Sequence, residues 1–378
     1  MTREEAIAVR LRSQLLVSSP FERAEEVVGW MGMVQAQDYR QFRWAIGTRM
    51  RTPKMSLVSD SFSSGRIVRL HLLRCTVLSV AIQDYLWMLD LCRDRNLNTV
   101  KSWPSYNKTG FSELYCQEGF EALKGILADG RSLTKKQIGE EFSKSGLPGD
   151  IAHLNQVLLR GEIEGLLLSG EMKGNDATWA LAEERLKALG TFRGEENCRY
   201  PADESLTVLA RKYFRSHSPA SFEDFCWWTG LPVTQNRKAV QLIAPELEEV
   251  KMENRQKEEQ TMFVYKDCIS DAAEGCGADR LNLVGSEKSV ILLPSYDEYL
   301  IGYKSRWVSL DKIHEHKAYN RFGIFNPVVL YNGKVVGNWK TSFSQKAKTI
   351  ETELFSHQRE VGIRRLNKAK EALHSFCQ

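Results

Sequence analysis

Residues 131–181 constrain the fold of this 378-residue chain more than any other stretch. Thr134 stands where a helix N-cap belongs, directly before Lys135-Lys-Gln-Ile-Gly-Glu-Glu-Phe142, and residues 146–150 form a turn. Residues 151–168 then carry apolar side chains at 151, 154, 157, 158, 163 and 166–168, the spacing of one helix face. Two short apolar runs around a Gly/Asn/Asp turn follow in Ser169-Gly-Glu-Met-Lys-Gly-Asn-Asp-Ala-Thr-Trp-Ala-Leu181, which predicts a hairpin. Helix, turn, helix and hairpin in that order predict a winged helix-turn-helix. Such modules bind DNA or mediate protein contacts.

The same order returns downstream. Residues 206–214 read as a helix, and Ser221 is placed to cap Phe222–Thr229. Thr234 is placed to cap a helix through Ile243, while residues 248–250 and 261–265 supply wing strands. A linker at residues 193–203 separates the two modules. Upstream, Ala6, Val9, Leu11, Leu15 and Leu16 mark an amphipathic helix ended by Ser18-Ser19-Pro20, and helical spacing resumes over residues 21–33. Residues 66–80 alternate well enough for a strand pair, and a helix follows at residues 83–89. Beyond residue 280 the chain turns β-rich, with a buried strand entering a polar loop in Ser289-Val-Ile-Leu-Leu-Pro-Ser-Tyr-Asp-Glu-Tyr299. Asn332-Gly333 between two alternating runs predicts a type I′ hairpin, with Lys334 beside a tip narrow enough for a DNA groove. The reading is an α+β chain in four segments: residues 1–125, 126–192, 203–280 and 281–378.

Bulk properties exclude several classes. With 42% hydrophobic and 26% charged residues the chain is an ordinary globular protein. No apolar run approaches the roughly 20 residues that span a bilayer, and the charged, amphipathic N-terminus is unlike a signal peptide. The eight cysteines form no C-x-x-C, which argues against a zinc site and fits reduced thiols in a cytoplasm. There is no G-x-S-x-G, Walker loop or H-E-x-x-H. Gly275-Cys-Gly-Ala-Asp-Arg280 places arginine where a dinucleotide fingerprint needs its third glycine, and His314-Glu-His316 lacks a third ligand. Net charge is +4, but residues 1–100 hold 14 Lys+Arg against 10 Asp+Glu and residues 340–378 hold 8 against 4. Residues 241–260 are acidic instead, 6 against 3. Basic ends around an acidic middle are compatible with a face turned to nucleic acid, or with a mixed solvated surface.

One stretch resists a packing explanation. Met33-Val-Gln-Ala-Gln-Asp-Tyr-Arg40 puts two glutamines among apolar residues, where an unpartnered amide costs roughly 1–3 kcal/mol. In a helix, positions i and i+2 do not face each other. Cooperation between Gln35 and Gln37 therefore requires extended or irregular backbone at residues 35–37.

Several motifs, in order along nearly the whole chain, resemble the AlkZ/YcaQ family of bacterial winged-helix DNA glycosylases. They are Gln35-Ala-Gln37, Arg66-Ile-Val-Arg-Leu-His-Leu-Leu-Arg-Cys-Thr76, His217-Ser-Pro-Ala-Ser-Phe-Glu-Asp-Phe-Cys-Trp-Trp-Thr-Gly-Leu231, Leu292-Leu-Pro-Ser-Tyr-Asp-Glu-Tyr299 and Gly333-Lys-Val-Val-Gly-Asn-Trp339. The resemblance implies tandem winged-helix units and a β-rich region forming a C-shaped basic concavity on DNA. It implies a catalytic Gln-x-Gln at Gln35 and Gln37, the AlkZ-like branch. One departure stands out: where relatives commonly carry histidine after the Arg66–Thr76 segment, this chain has Leu78.

The expectation is a monofunctional DNA glycosylase. Glutamine lacks useful basicity, so it can only position water and offer a dipole to an oxocarbenium-like sugar. That suffices when the base already leaves well, as a purine alkylated at N7 or N3 does, and interstrand crosslinks are a related lesion. Candidate DNA contacts are Arg40, Arg43, Arg69, Arg74, Thr76, Lys304, Arg306, Asn332 and Lys334. No metal or other cofactor is expected. The expected partner is double-stranded DNA with alkylated bases, bound by a cytoplasmic, nucleoid-associated monomer away from membranes. The competing readings are a non-catalytic winged-helix transcription regulator and, more remotely, a scaffold for protein partners.

Overall fold

The computed structural model describes residues 1–104, 112–190, 200–270, 289–344, 347–355 and 361–377. Most of the predicted 193–203 linker and the 275–280 stretch lie outside these residues. Helices and strands mix along the whole chain. It divides into two compact units, the first comprising Met1–Val34, Gln41–Met55 and Leu206–Gln378, the second Gln35–Arg40 and Ser56–Ser205. Residues 126–192 therefore fall in one unit, residues from 206 onward in the other, and residues 1–125 contribute to both.

In chain order, α1 (Arg3–Ser13) and α2 (Ala24–Met31) lead to β1 (Val34–Gln35), followed by α3 (Phe42–Gly47) and α4 (Met55–Ser63). The strands β2 (Ile67–His71) and β3 (Val77–Ala81) precede α5 (Ile82–Lys101) and α6 (Glu113–Ile126). Next come β4 (Leu133–Thr134), α7 (Lys135–Lys144), α8 (Ile151–Glu164), β5 (Leu167–Ser169), β6 (Thr178–Leu181) and α9 (Ala182–Ala188). The longer elements of the remainder are α10 (Ala202–His217), α11 (Phe222–Thr229), α12 (Val233–Leu242), the hairpin β7 (Leu247–Glu253) and β8 (Glu259–Tyr265), β9 (Val290–Leu293), β10 (Val328–Tyr331), β11 (Lys334–Ser344), β12 (Ala347–Leu354) and α13 (Ile363–Phe376).

The second unit is built from two small sheets and the helices on them. In one sheet β3 lies between β1 and β2, and in the other β6 lies between β4 and β5. Thr134 caps α7 in a capping box with Gln137, as its position predicts, and Asp150 caps α8 by accepting the Ala152 and His153 N–H groups. Gly165 ends α8 with φ +83°, a left-handed conformation that costs glycine little. Leu123, Ile138, Phe142, Leu154, Val157, Leu158 and Leu167 close the core around these helices.

In the first unit four strands run in the order β12-β11-β10-β9. Their inner face, with α1, buries Ile7, Leu11, Leu293, Tyr299, Val308, Val328 and Leu330. Ser221 caps α11 in a box with Asp224, and Gly230 ends that helix left-handed. Thr234 is not a cap, because α12 starts one residue earlier, after Pro232. A buried Arg49–Asp297 pair at 2.7 Å, with Gln14 Oε1 accepting from the same guanidinium, fixes α3 within this unit.

Candidate active site

The glutamine pair sits where a helix has just stopped. Gly32, at φ +80°, ends α2, and the chain becomes extended at Val34 and Gln35 before turning at Asp38 and Tyr39. Residues 35–37 are thus non-helical, as cooperation between the two amides requires. Both backbone groups of Ala36 are held: its N–H donates to Val77 O at 2.9 Å, and its carbonyl accepts from Arg69 Nε at 3.0 Å. Gln35, on one side of this clamped residue, is 3% exposed, and Gln37 on the other is open to solvent. Asp38 Oδ1 accepts the Arg40 N–H at 2.9 Å, which shapes the turn that follows.

Arg69 does more here than a surface cation would. Its guanidinium lies 5.2 Å from the centre of the Tyr39 ring, so one side chain binds both the middle and the end of the Gln35–Arg40 segment. Desolvation depresses its pKa, opposed by the Glu162 charge. Strand β2 borders its sheet and would leave N–H groups unpaired on its outer side. The Arg69 N–H donates to Ser169 Oγ at 2.9 Å, and the His71 N–H donates to Glu162 at 2.9 Å.

Glu162 and His71 were not anticipated from the sequence. Glu162 is buried in α8, with one oxygen 2.6 Å from His71 Nδ1 and the other accepting Trp179 Nε1 at 2.6 Å. Burial alone would raise its pKa, but His71, Trp179 and the Arg69 charge outweigh it and hold the carboxyl below its ordinary value. Residues 151–169 also carry His153, Arg160 and Glu164, so nothing in the sequence marked Glu162 as the buried one. Its partner, 91 positions away, could not be read from spacing.

The β2–β3 connection is strained. Arg74 and Cys75 both adopt left-handed conformations, φ 61° and 53°, which cost non-glycine residues about 1 kcal/mol each. Asn96 Nδ2 donates to Leu72 O at 2.7 Å, and Thr76 Oγ1 donates to Leu73 O at 3.2 Å, which ties the turn down. Arg74 and Thr76 are half-buried in this turn, and Arg40 is exposed. Leu78 is fully buried and pairs with Leu70 across the two strands. The departure from the family's histidine is therefore a core position. Burial pushes the thiols of Cys75 and Cys92 up to about 12, which removes them as nucleophiles at neutral pH.

The remaining candidates belong to the first unit, and several differ from the surface role expected of them. Arg43 is buried in α3. Arg306 is buried too, donating from Nε to Leu300 O at 2.9 Å, and its guanidinium lies 4.6 Å from the Tyr319 ring and 4.8 Å from that of Phe325. The Asn332-Gly333 turn has both residues at positive φ, as a type I′ hairpin requires, but its tip is packed inward rather than projecting. Tyr299 Oη donates to Gly333 O at 2.8 Å, Asn332 Oδ1 accepts the Ser289 N–H, and Lys334 pairs with Glu4 at 3.3 Å. The tip thus packs on α1, with Lys334 half-exposed beside it. Lys304 is exposed. Among the described residues no group of three His, Cys, Asp or Glu could hold a metal, and no helix is long and apolar enough to cross a membrane.

Comparison with known proteins gives this geometry its context. A family model described as DNA glycosylase AlkZ-like matches residues 28–376. A curated relative, the interstrand DNA cross-link repair glycosylase of Streptomyces sahachiroi, is 24% identical over 352 residues, 89% of this chain and 87% of the relative. The solved structure of Streptomyces sahachiroi DNA glycosylase AlkZ superposes with a TM-score of 0.72 at 21% identity, covering 100% of this chain and 96% of that one. The fold is thus shared along the whole length, and the residues matched by the family model include Gln35, Gln37, His71 and Glu162. The chain belongs to the AlkZ-like family of DNA glycosylases.

Proposed function

We propose that the chain hydrolyses the N-glycosidic bond of purines alkylated at N7 or N3, with Gln35 and Gln37 positioning the attacking water. One observation carries this reading: Ala36 is clamped at both its N–H and its carbonyl, so the flanking amides are held by the backbone between them. Preorganised dipoles stabilise developing charge without reorganising during the reaction. Neither glutamine can protonate a leaving group, so the substrate must bring its own driving force. A cationic alkylpurine does so, because it departs as a neutral base.

Residues 126–192 and 203–280 act as winged-helix modules on duplex DNA in this proposal, with Arg40, Arg74 and Lys304 as phosphate contacts. The curated relative is named for cross-link repair, and unhooking of such lesions extends the proposal to two purines joined at N7. Base release from a 7-methylguanine duplex and from a uracil duplex tests the reading. Release of the methylated base alone is expected, and equal cleavage of both would sink it.

A further inference from the structure

We propose that a polar cleft in the first unit, beneath the β7–β8 hairpin, is a phosphate site that takes one phosphodiester of the DNA backbone. The cleft has a volume of about 270 Å³ and is lined by Asn254, Gln256, Gln260, Lys304 and Arg306, with Arg255 and Glu315 at its side. This proposal rests on the reading of the chain as a DNA-acting enzyme, and goes beyond it by naming where duplex is gripped.

Arg306 is the reason to expect an anion. A buried guanidinium is costly unless its donors meet acceptors. Its Nε and Nη1 donate to the carbonyls of Leu300 and Lys304, at 2.9 and 3.2 Å. Nη2 is buried with no acceptor among the described residues. No carboxylate pairs with Arg306 there either, and desolvation depresses its pKa. Tyr319 and Phe325 hold the group through their ring faces, and the Tyr319 hydroxyl also interacts with the guanidinium.

The neighbouring charges leave the cleft positive. Glu315 is the carboxylate lining it, and Arg255 holds that group at 2.6 Å. Asp224 Oδ1 is committed to the backbone N–H groups of Lys304 and Ser305, at 2.9 and 3.0 Å, which fixes the loop presenting Lys304. Asn254 is committed to Glu258 and to the hairpin backbone, so what remains is one exposed ammonium, one buried guanidinium with a spare donor, and the amides of Gln256 and Gln260. A tetrahedral anion with several acceptor oxygens satisfies that set. Free phosphate and a DNA phosphate share this chemistry; the duplex is the proposed source.

The test is equilibrium binding of undamaged duplex, followed over a range of salt concentrations, for wild type, Lys304→Ala and Gln260→Glu. Gln260→Glu places a carboxylate in the cleft while leaving the Arg306 packing intact. Each variant is expected to weaken binding about tenfold at low salt and to reduce the slope of log K against log[salt] by about 1. Folding is checked by unchanged thermal melting. Inorganic phosphate, added at constant ionic strength, distinguishes the source. Stabilisation of wild type but not of Gln260→Glu, with unaltered duplex slopes, would overturn the DNA source in favour of a free anion. Unaltered slopes with no phosphate effect would overturn the site. Base release by wild type is measured alongside, and its absence would refute the glycosylase reading without touching this result.

Discussion

Glu162 accepts two hydrogen bonds from His71, one from the backbone N–H at 2.9 Å and one from Nδ1 at 2.6 Å. A carboxylate can only accept, so the imidazole donates from Nδ1 and its other nitrogen is directed away. With the Trp179 bond, one buried side chain joins α8, β2 and β6 within the second unit. Because the folded carboxyl lies below its unfolded value, its contribution is fully present above about pH 4.3 and lost as pH falls through the folded pKa. Glu162→Gln is expected to cost about 2–4 kcal/mol at neutral pH, since one acceptor oxygen becomes a donor facing a donor. It should also flatten the acid limb of melting temperature against pH. Circular dichroism melts from pH 3 to 7 measure both. A variant that keeps the wild-type acid limb would show that Glu162 is not the group responsible.

Arg69 holds Ala36 through Nε, and the glutamines flank Ala36. Arg69→Lys keeps the charge but cannot reproduce a planar donor over the Tyr39 ring. The expected result is a fall in single-turnover base release of about 10–100-fold, with duplex affinity reduced only a few-fold, because orientation and not charge is lost. Were Arg69 simply a phosphate ligand, Lys would rescue release and Arg69→Ala would instead lower affinity and salt slope together.

Leu78 occupies the position where the family resemblance leads one to expect histidine, yet it is fully buried against Leu70. Restoring histidine should not improve catalysis. Leu78→His is expected to destabilise the chain by about 2–4 kcal/mol, from lost apolar packing and a buried imidazole. Denaturant unfolding alongside base release decides the matter: a gain of activity would show that the site depends on this position.

Much of the local structure was legible in residue order. Thr134 with Gln137, Ser221 with Asp224 and Asn332-Gly333 announce caps and a turn because their chemistry acts over two or three residues. The spacing of Gln35 and Gln37 likewise implied the broken helix that carries them. What stayed hidden depends on distant partners. The division of residues 1–125 between two units follows from pairings such as Ala36 with Val77. Arg43 and Arg306 look like surface cations in a string of letters, and only tertiary packing puts them inside. Thr234 was misread as a cap because Pro232 starts the helix first.

Gly333 illustrates the inward packing of the β10–β11 turn. A Cβ there would lie 2.3 Å from Ile7 Cγ2 and 3.0 Å from Tyr299 Oη, at φ +74°. Gly333→Ala is therefore expected to cost about 2–4 kcal/mol, combining backbone strain with overpacking. Lys334→Ala, which removes only a half-exposed pair with Glu4, should change stability by less than about 1 kcal/mol. Its duplex affinity should match wild type across salt concentrations; a reduced salt slope would restore the turn as a DNA contact.

The two glutamines differ in burial, and that difference separates structure from catalysis. Gln37 is exposed, so Gln37→Ala removes an amide without opening a cavity. Its melting temperature and duplex affinity should match wild type, while release of 7-methylguanine falls by about 10²–10³-fold, the scale for losing one preorganised dipole. Gln35 is 3% exposed, so Gln35→Ala should lose activity and also about 1–3 kcal/mol of stability. Gln37→Glu is the sharper variant. A carboxylate there can act as a base and balance the cationic sugar, so it should retain release of cationic purines far better than Gln37→Ala. It gives no means of protonating a leaving base, so a uracil duplex should remain uncut. Full activity in Gln37→Ala would remove the catalytic assignment while leaving the fold and the family untouched.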